Sequence, residues 1–250
     1  MDLVEAIEQR ISCRAFDMRP VEEEKLAALK AEVERINEVG GLNFQLYGPR
    51  EDGSALDMSP GMFAGNPPCY VALVGKTGAE AEEKLGYYGE QLVLVATQLG
   101  LGTCWVASTY DTDTVRADVG EGEKLWCVLP VGYAPAKMPL KQRTLRAGLR
   151  RRDKKMDAIW HGAIPFAQVP EWVQAGVIAA QKGPSAVNSQ PYVFSQESAD
   201  APVRAEAVPA RTTLENVDLG IAKCHFQVAA EACGKPGHWE WDSGGAYVLD

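Results

Sequence analysis

The sequence predicts an α+β fold in which one unit of helices and antiparallel strands occurs twice along the chain. Three observations carry this expectation. Segments with apolar residues at helical spacing alternate with short apolar runs of strand length. A constant offset of 134 residues (219 minus 85) places Leu85-Gly86 on Leu219-Gly220, Ala96 on Ala230, Gly100 on Gly234 and Trp105 on Trp239. No G-x-G-x-x-G string follows a strand, so a parallel dinucleotide-binding sheet has no support.

In order, Leu3, Val4, Ile7 and Ile11 mark one face of a short first helix. Leu26, Leu29, Val33 and Ile36 mark a second, which stops at Gly40-Gly41. Residues 43–47 read as a strand, 50–65 as a polar loop that could act as a lid, and 69–74 as a buried strand. Leu85, Tyr88, Leu92, Val95, Ala96 and Leu99 trace a long helix, apolar enough to lie centrally. An extended segment at 105–108, a short helix near 112–119 and a strand at 125–131 follow.

In the second half, residues 171–181 read as a helix that Gly183 and Pro184 terminate, glycine taking the left-handed position and proline ending the ladder. A second offset, 145, lays Asn188-Ser-Gln190-Pro-Tyr192 on Asn43-Phe-Gln45-Leu-Tyr47. The expected halves are 1–155 and 156–250, packed as a pseudo-dimer around central helices as a homodimer would be.

Composition bounds the function. With 46% apolar and 24% charged residues the chain has the makeup of a soluble globular protein. Twenty-five Lys and Arg against 34 Asp and Glu give a net charge of -9, which argues against nucleic-acid or anionic-membrane partners. The six cysteines lack metal-ligand spacing and suit a reducing cytoplasm, and the N-terminal residues carry acids inside their apolar stretch, unlike a signal peptide. The three histidines show no ligand spacing, so no metal site is expected, and Ser12 has no recognisable triad partners.

Two strings stand out. Arg10-Ile-Ser12-Cys-Arg14 sets two guanidinium groups and a hydroxyl within five residues, suited to a phosphate or carboxylate, or else a solvated charge pair. Pro184-Ser-Ala-Val-Asn188-Ser-Gln190 offers a hydroxyl, backbone N–H groups and two amides, suited to a planar heterocycle, or else an ordinary turn. Each half carries one string and lacks a full copy of the other, so a site drawing on both halves would be single. A basic run from Lys141 to Lys155 reads as a solvated linker or as part of an anion site.

These strings, with Leu99-Gly-Leu-Gly-x-x-Trp105, resemble the FMN-dependent nitroreductase family, in particular its branch in which one chain imitates the usual homodimer. The resemblance implies FMN, with Arg10 and Ser12 on its phosphate, Arg14 nearer the ribityl and pyrimidine, and Pro184, Ser185, Ala186 and Asn188 lining the ring from the other half. It implies a second basic cluster on the phosphate, for which Arg151 and Arg152 are the candidates. Many members have a glycine-containing segment after the tryptophan, whose backbone N–H faces flavin N5. Here Ala107-Ser108-Thr109 stands instead, and Ser108 is the candidate for that donor.

The implied activity is a ping-pong NAD(P)H oxidoreductase acting on nitroaromatics, quinones or similar acceptors, working as a monomeric pseudo-dimer. The alternative is a non-catalytic flavin-binding or ligand-sensing protein of the same fold.

Overall fold

The computed structural model describes residues 1–137 and 153–250, which fall into two compact units that are each discontinuous in sequence. Among the described residues the first unit comprises residue 1, 9–77 and 92–137, and the second 2–8, 78–91 and 153–250.

In the first unit, helix α2 (Glu23–Gly40) buries Leu29, Val33 and Ile36 and ends on Gly41, whose left-handed φ of 61° supplies the helix stop. Two residues later β1 (Asn43–Tyr47) begins. The Asn37 side chain ties helix to strand, accepting from Phe44 N at 2.7 Å and donating to Phe44 O at 2.8 Å, which occupies backbone groups on the outer edge of β1. Strand β1 pairs with β2 (Cys69–Lys76), which pairs with β4 (Glu123–Gly132), which pairs with β3 (Gly102–Thr103). All these pairings are antiparallel. Residues 69–75 of β2 are buried throughout, which explains their unbroken run of apolar and small residues.

The expected short helix at 112–119 is absent: residues 112–114 form a turn and 115–120 run without regular structure. Arg116 N donates instead to the Tyr70 hydroxyl at 2.6 Å, and the Arg116 guanidinium lies over the Tyr47 ring. The 50–65 loop is pinned rather than open. Arg50 bonds Asp57 at 2.7 Å, Asn66 bonds Asp57 at 2.7 Å, and Ala55 and Leu56 are fully buried.

The second unit repeats the plan. Helix α4 (Glu171–Gln181) leads to β5 (Tyr192–Ser195) and β6 (Val203–Ala207), then helix α5 (Glu215–Ala232), then β7 (Gly237–Trp239) and β8 (Ala246–Leu249). Its sheet order, β5-β6-β8-β7, matches β1-β2-β4-β3 position for position, and all its strand pairs are antiparallel. This is compatible with an internal repeat. Residues 159–161 add in parallel to the outer edge of β5, through Phe194 N to Ile159 O and His161 N to Phe194 O. Phe194, Phe226, Trp239 and Tyr247 form an aromatic core, and Gly176 of α4 leaves room for the Phe226 ring, which a Cβ there would approach to 2.5 Å.

Between β2 and β3 runs helix α3 (Ala79–Gln98), whose residues 79–91 belong to the second unit. There it crosses α5 backbone to backbone. A Cβ on Gly86 would lie 2.0 Å from Val217 O, and one on Gly220 would lie 1.9 Å from Glu83 O. The contact is reciprocal, because the 134-residue offset carries Gly86 onto Gly220 and Glu83 onto Val217. Beside it Lys223 and Glu83 form a buried ion pair, and Lys223 Nζ also donates to Glu240 O and Asp242 O. Burial pushes the Glu83 carboxyl up to about 7 and the Lys223 ammonium down, each against the pull of its partner. Further along, buried His225 bonds Ala179 O at 3.0 Å and Glu90 at 2.9 Å. A carbonyl can only accept, so Nδ1 carries a hydrogen and one proton is held between Nε2 and Glu90.

Alanine at Gly86 or Gly220 must push two helix backbones apart. Each substitution is expected to cost about 1–3 kcal/mol or more of unfolding free energy, measured by urea denaturation. A loss within experimental error would contradict the close crossing.

Candidate functional site

The Arg10-Ser12-Arg14 string leaves helix α1 (Leu3–Gln9) as an extended segment lying beside β3. Ser12 bridges Thr103 in parallel, Cys13 N donates to Thr103 O at 2.7 Å, and Ala64 N donates to Arg14 O at 2.9 Å. This anchoring alternates the side chains: Cys13 is buried, while Ser12 and Arg14 keep partial exposure. Gly102 permits the approach, since a Cβ there would meet Cys13 Cβ and Sγ at 2.8 Å.

The charges of the string act on Cys104, which the sequence did not single out. Burial raises the Cys104 thiol, while the positive charges of Arg14 and Arg10 and a hydrogen bond with Ser12 pull it back. The positive charges of both arginines and the Ser12 hydroxyl thus act on one buried thiol. The donor set is cationic and protic, the chemistry that phosphate and other oxyanions require.

In the second unit the 182–191 connection between α4 and β5 forms the other candidate. Gly183 does not take the expected left-handed conformation. The cap of α4 is Lys182 in right-handed helical geometry, and Gly183 is small because a Cβ would crowd Ala180 O and Ile221 at 3.1 and 3.2 Å. The left-handed residues are Val187 (φ 50°), Asn188 (φ 51°) and Gln190 (φ 43°). Such a conformation costs about 1–2 kcal/mol for an L-residue, and a β-branched valine is a poor occupant.

Three attachments impose this shape. Ala186 N donates to both carboxylate oxygens of Asp218 on α5, at 3.0 and 3.1 Å. Gln190 N donates to Ser185 Oγ at 3.0 Å. Gln190, fully buried, accepts from Lys154 N at 2.6 Å and donates to Gln181 O at 2.7 Å, while Lys154 Nζ donates to Gln190 O at 2.8 Å.

Three sequence expectations need correction here. The Gln190 amide is structural and presents no mixed edge to a ligand, being fully buried with its oxygen bonded to Lys154 N and its nitrogen to Gln181 O. The N–H groups of Ala186, Asn188, Ser189 and Gln190 are engaged inside the unit. The Ser185 oxygen accepts, which leaves its proton to donate. The 145-residue offset also fails at its first residue: Asn43 opens a strand, whereas Asn188 lies in a 3-10 turn ahead of β5.

A model of the family described as "Putative TM nitroreductase" matches residues 2–230. The chain belongs to that family. The crystal structure of a "putative nitroreductase" from Thermotoga maritima covers all of this chain and 93% of its own at 20% identity, with a TM-score of 0.64, so the fold is shared over the whole length. A nitroreductase with bound FMN from Bacteroides fragilis is 21% identical over 62% of this chain and all of its own, with a TM-score of 0.39. An FMN-dependent nitroreductase from Clostridium difficile is 18% identical over 60% of this chain and 98% of its own, again at 0.39. Comparison with curated proteins finds no match.

Within this nitroreductase-family chain, Ser108 lies exposed in a bend at 107–109, between Val106, bridged to Val128, and Tyr110, bridged to Met58. Arg151 and Arg152, with most of the basic run, lie outside the described residues. Lys154 is described and reaches the 182–191 connection directly. No helix among the described residues is long and apolar enough to cross a membrane.

Asp218 escaped the sequence reading because an acid in the first turns of a helix ordinarily faces water. It is 2% exposed. Burial, with the nearby Glu215 charge in the same direction, raises its carboxyl from 3.8 to about 7 against the opposing Ala186 N–H. Among the described residues the buried Tyr192 hydroxyl is a further electrostatic neighbour. A raised folded value means the penalty for charging Asp218 is absent below 3.8, grows as pH rises and is complete above about 7. Asp218→Asn removes that penalty while keeping an acceptor for Ala186. The stability of the variant relative to wild type should therefore rise between about pH 4 and pH 8, measured by urea denaturation across that range. A pH-independent difference would contradict titration of Asp218 in this window.

Proposed function

We propose that this chain is an FMN-dependent oxidoreductase that draws electrons from NADH or NADPH and reduces nitroaromatics, quinones or similar acceptors by a ping-pong mechanism. Family membership supports this reading. The observation that carries it is the extended segment anchored on Thr103 that bears Arg10, Ser12 and Arg14 at alternate positions, a donor set that fits a phosphate dianion. The proposal includes two nitroreductase-like halves, residues 1–155 and 156–250, in a monomeric pseudo-dimer.

FMN, when bound, supplies the chemistry by taking hydride from a nicotinamide and passing the electrons to an acceptor. The tasks left to the protein are binding and orientation. Arg10 and Ser12 hold the phosphate, with Arg151 and Arg152 as further cations. Arg14 places positive charge toward the pyrimidine edge, which favours the reduced, more negative ring. Pro184, Ser185, Ala186 and Asn188 present a rigid surface to the ring plane, because the left-handed turn at 187–188 is fixed from both ends. The Ser108 backbone N–H is the proposed donor at the reactive ring nitrogen. No side-chain acid or base is required in this scheme.

Each charge-assisted hydrogen bond is worth about 1.5–3 kcal/mol, so Arg10→Ala should weaken FMN binding by about tenfold or more. Asn188→Ala should weaken it by at least about threefold through loss of a neutral contact. Quenching of flavin fluorescence on titration gives both constants. Unchanged affinity in both variants would overturn the assignment, and an FMN-loaded protein that never oxidises NADH or NADPH in the presence of a quinone would overturn the catalytic reading.

A further inference from the structure

We propose that Asp218 is a positioning residue for the cofactor loop: by accepting the Ala186 N–H, it holds the left-handed turn at Val187 and Asn188 in the shape that meets FMN, a role that rests on the flavin reading above.

Three independent features point to it. The first is the setting of the carboxylate. Asp218 sits among Val217, Leu219, Ile221 and Ala222, all buried, and among the described residues the groups that act on it electrostatically are Glu215 and Tyr192. A carboxylate kept in such surroundings is costly, and the interaction it makes in return is with one backbone amide, held by both oxygens. The fold gains little by this. The loop gains a fixed point.

The second is the contrast with the other half. The 134-residue offset that pairs Gly86 with Gly220 pairs position 218 with Lys84. Lys84 is partly exposed and pairs with Glu80 at 2.6 Å on its own helix, an ordinary surface arrangement. In that half, residues 41 and 42 alone connect helix to strand, where the second half uses the ten residues 182–191. The buried acid thus occurs in the half that has the long connection, and a surface lysine stands in the half that lacks it.

The third is the location of the strain. Val187 and Asn188, the first left-handed residues, directly follow the captured amide, and Val187 is 57% exposed, so no core packing holds it there. The Ser185–Gln190 bond and the Gln190–Lys154 contacts fix the far end of the turn. Asp218 fixes the near end. Gly220, two residues on, locks the register of α5 and with it the height at which the carboxylate meets the loop.

The test is FMN affinity in a small set of variants, each first checked for folding by circular dichroism and thermal unfolding. Asp218→Ala should weaken FMN binding by about tenfold or more, as expected for losing hydrogen bonds to a charged acceptor. Asp218→Asn keeps an acceptor and should stay within about threefold of wild type. Glycine adopts φ near +50° without strain, so Val187→Gly alone should change little, and Val187→Gly in the Asp218→Ala background should restore at least about threefold of the lost affinity. A merely structural carboxylate would not be rescued by removing strain in the loop.

Should Asp218→Ala fail to fold, Ala186→Pro deletes the donor instead. The extended Ser185 before it tolerates proline, and the same loss is expected. Wild-type affinity in Asp218→Ala, equal losses in Asp218→Ala and Asp218→Asn, or no rescue by Val187→Gly would each overturn the proposal. Failure of the wild-type protein to bind FMN would instead overturn the flavin reading on which it rests.

Discussion

Two helix backbones can touch only where neither carries a side chain, and the second unit is organised by one such contact. Gly86 and Gly220 let α3 and α5 approach until each presses on a carbonyl of the other, Val217 in one direction and Glu83 in the other. The same Glu83 turns its carboxylate onto Lys223 one helical turn beyond the crossing, so packing and charge fix one register together. That ion pair does not recommend itself on stability grounds, since burial disfavours both charges. Its geometry is specific, and specificity of register is what a crossing without side chains cannot supply alone.

From this crossing the 182–191 connection follows. With α5 held, Asp218 stands at a set height beside Ala186, and His225, further along the same helix, reaches Ala179 near the end of α4. The start of the connection and the helix before it are thus both referred to α5. Its end is referred to Lys154 and Gln181 through Gln190. What remains between these points, Val187 and Asn188, has no conformational choice, and that is the property a rigid platform for a planar ring needs. The first unit solves a different problem. There an extended segment, registered on Thr103, carries two arginines and a serine at alternate positions with Cys13 buried between them. Identical strand orders in the two sheets carry different attachments, so the frame repeats while the chemistry does not.

Much of this was legible in the sequence, for identifiable reasons. The 171–181 helix and the 43–47 strand emerge within their stated bounds because periodicity and turn residues agree there. The helix offset of 134 was readable because a glycine needed at a crossing tolerates no substitute. The strand offset of 145 misled because Asn-x-Gln-x-Tyr recurs by identity in two different settings, a strand edge and a turn. Arg10, Ser12 and Arg14 were visible as a string, yet their action on Cys104 was not, since it lies some ninety residues away and burial is not written in a cysteine. Asp218 was hidden for the opposite reason: its type predicts solvent, and only the fold turns it inward. Gln190 was visible and misread, because an amide near a candidate site is as able to build the loop as to serve a ligand.

On the proposed flavin reading, the Arg10–Arg14 string and the long 182–191 connection each occur once in the chain, so one flavin per chain is expected. The direct measurement is the amount of FMN retained per chain after reconstitution and desalting, from the visible absorption of the flavin against protein concentration. The account predicts one FMN per chain. Two per chain would show that the halves are functionally equivalent, and none in a folded protein would contradict the flavin reading itself.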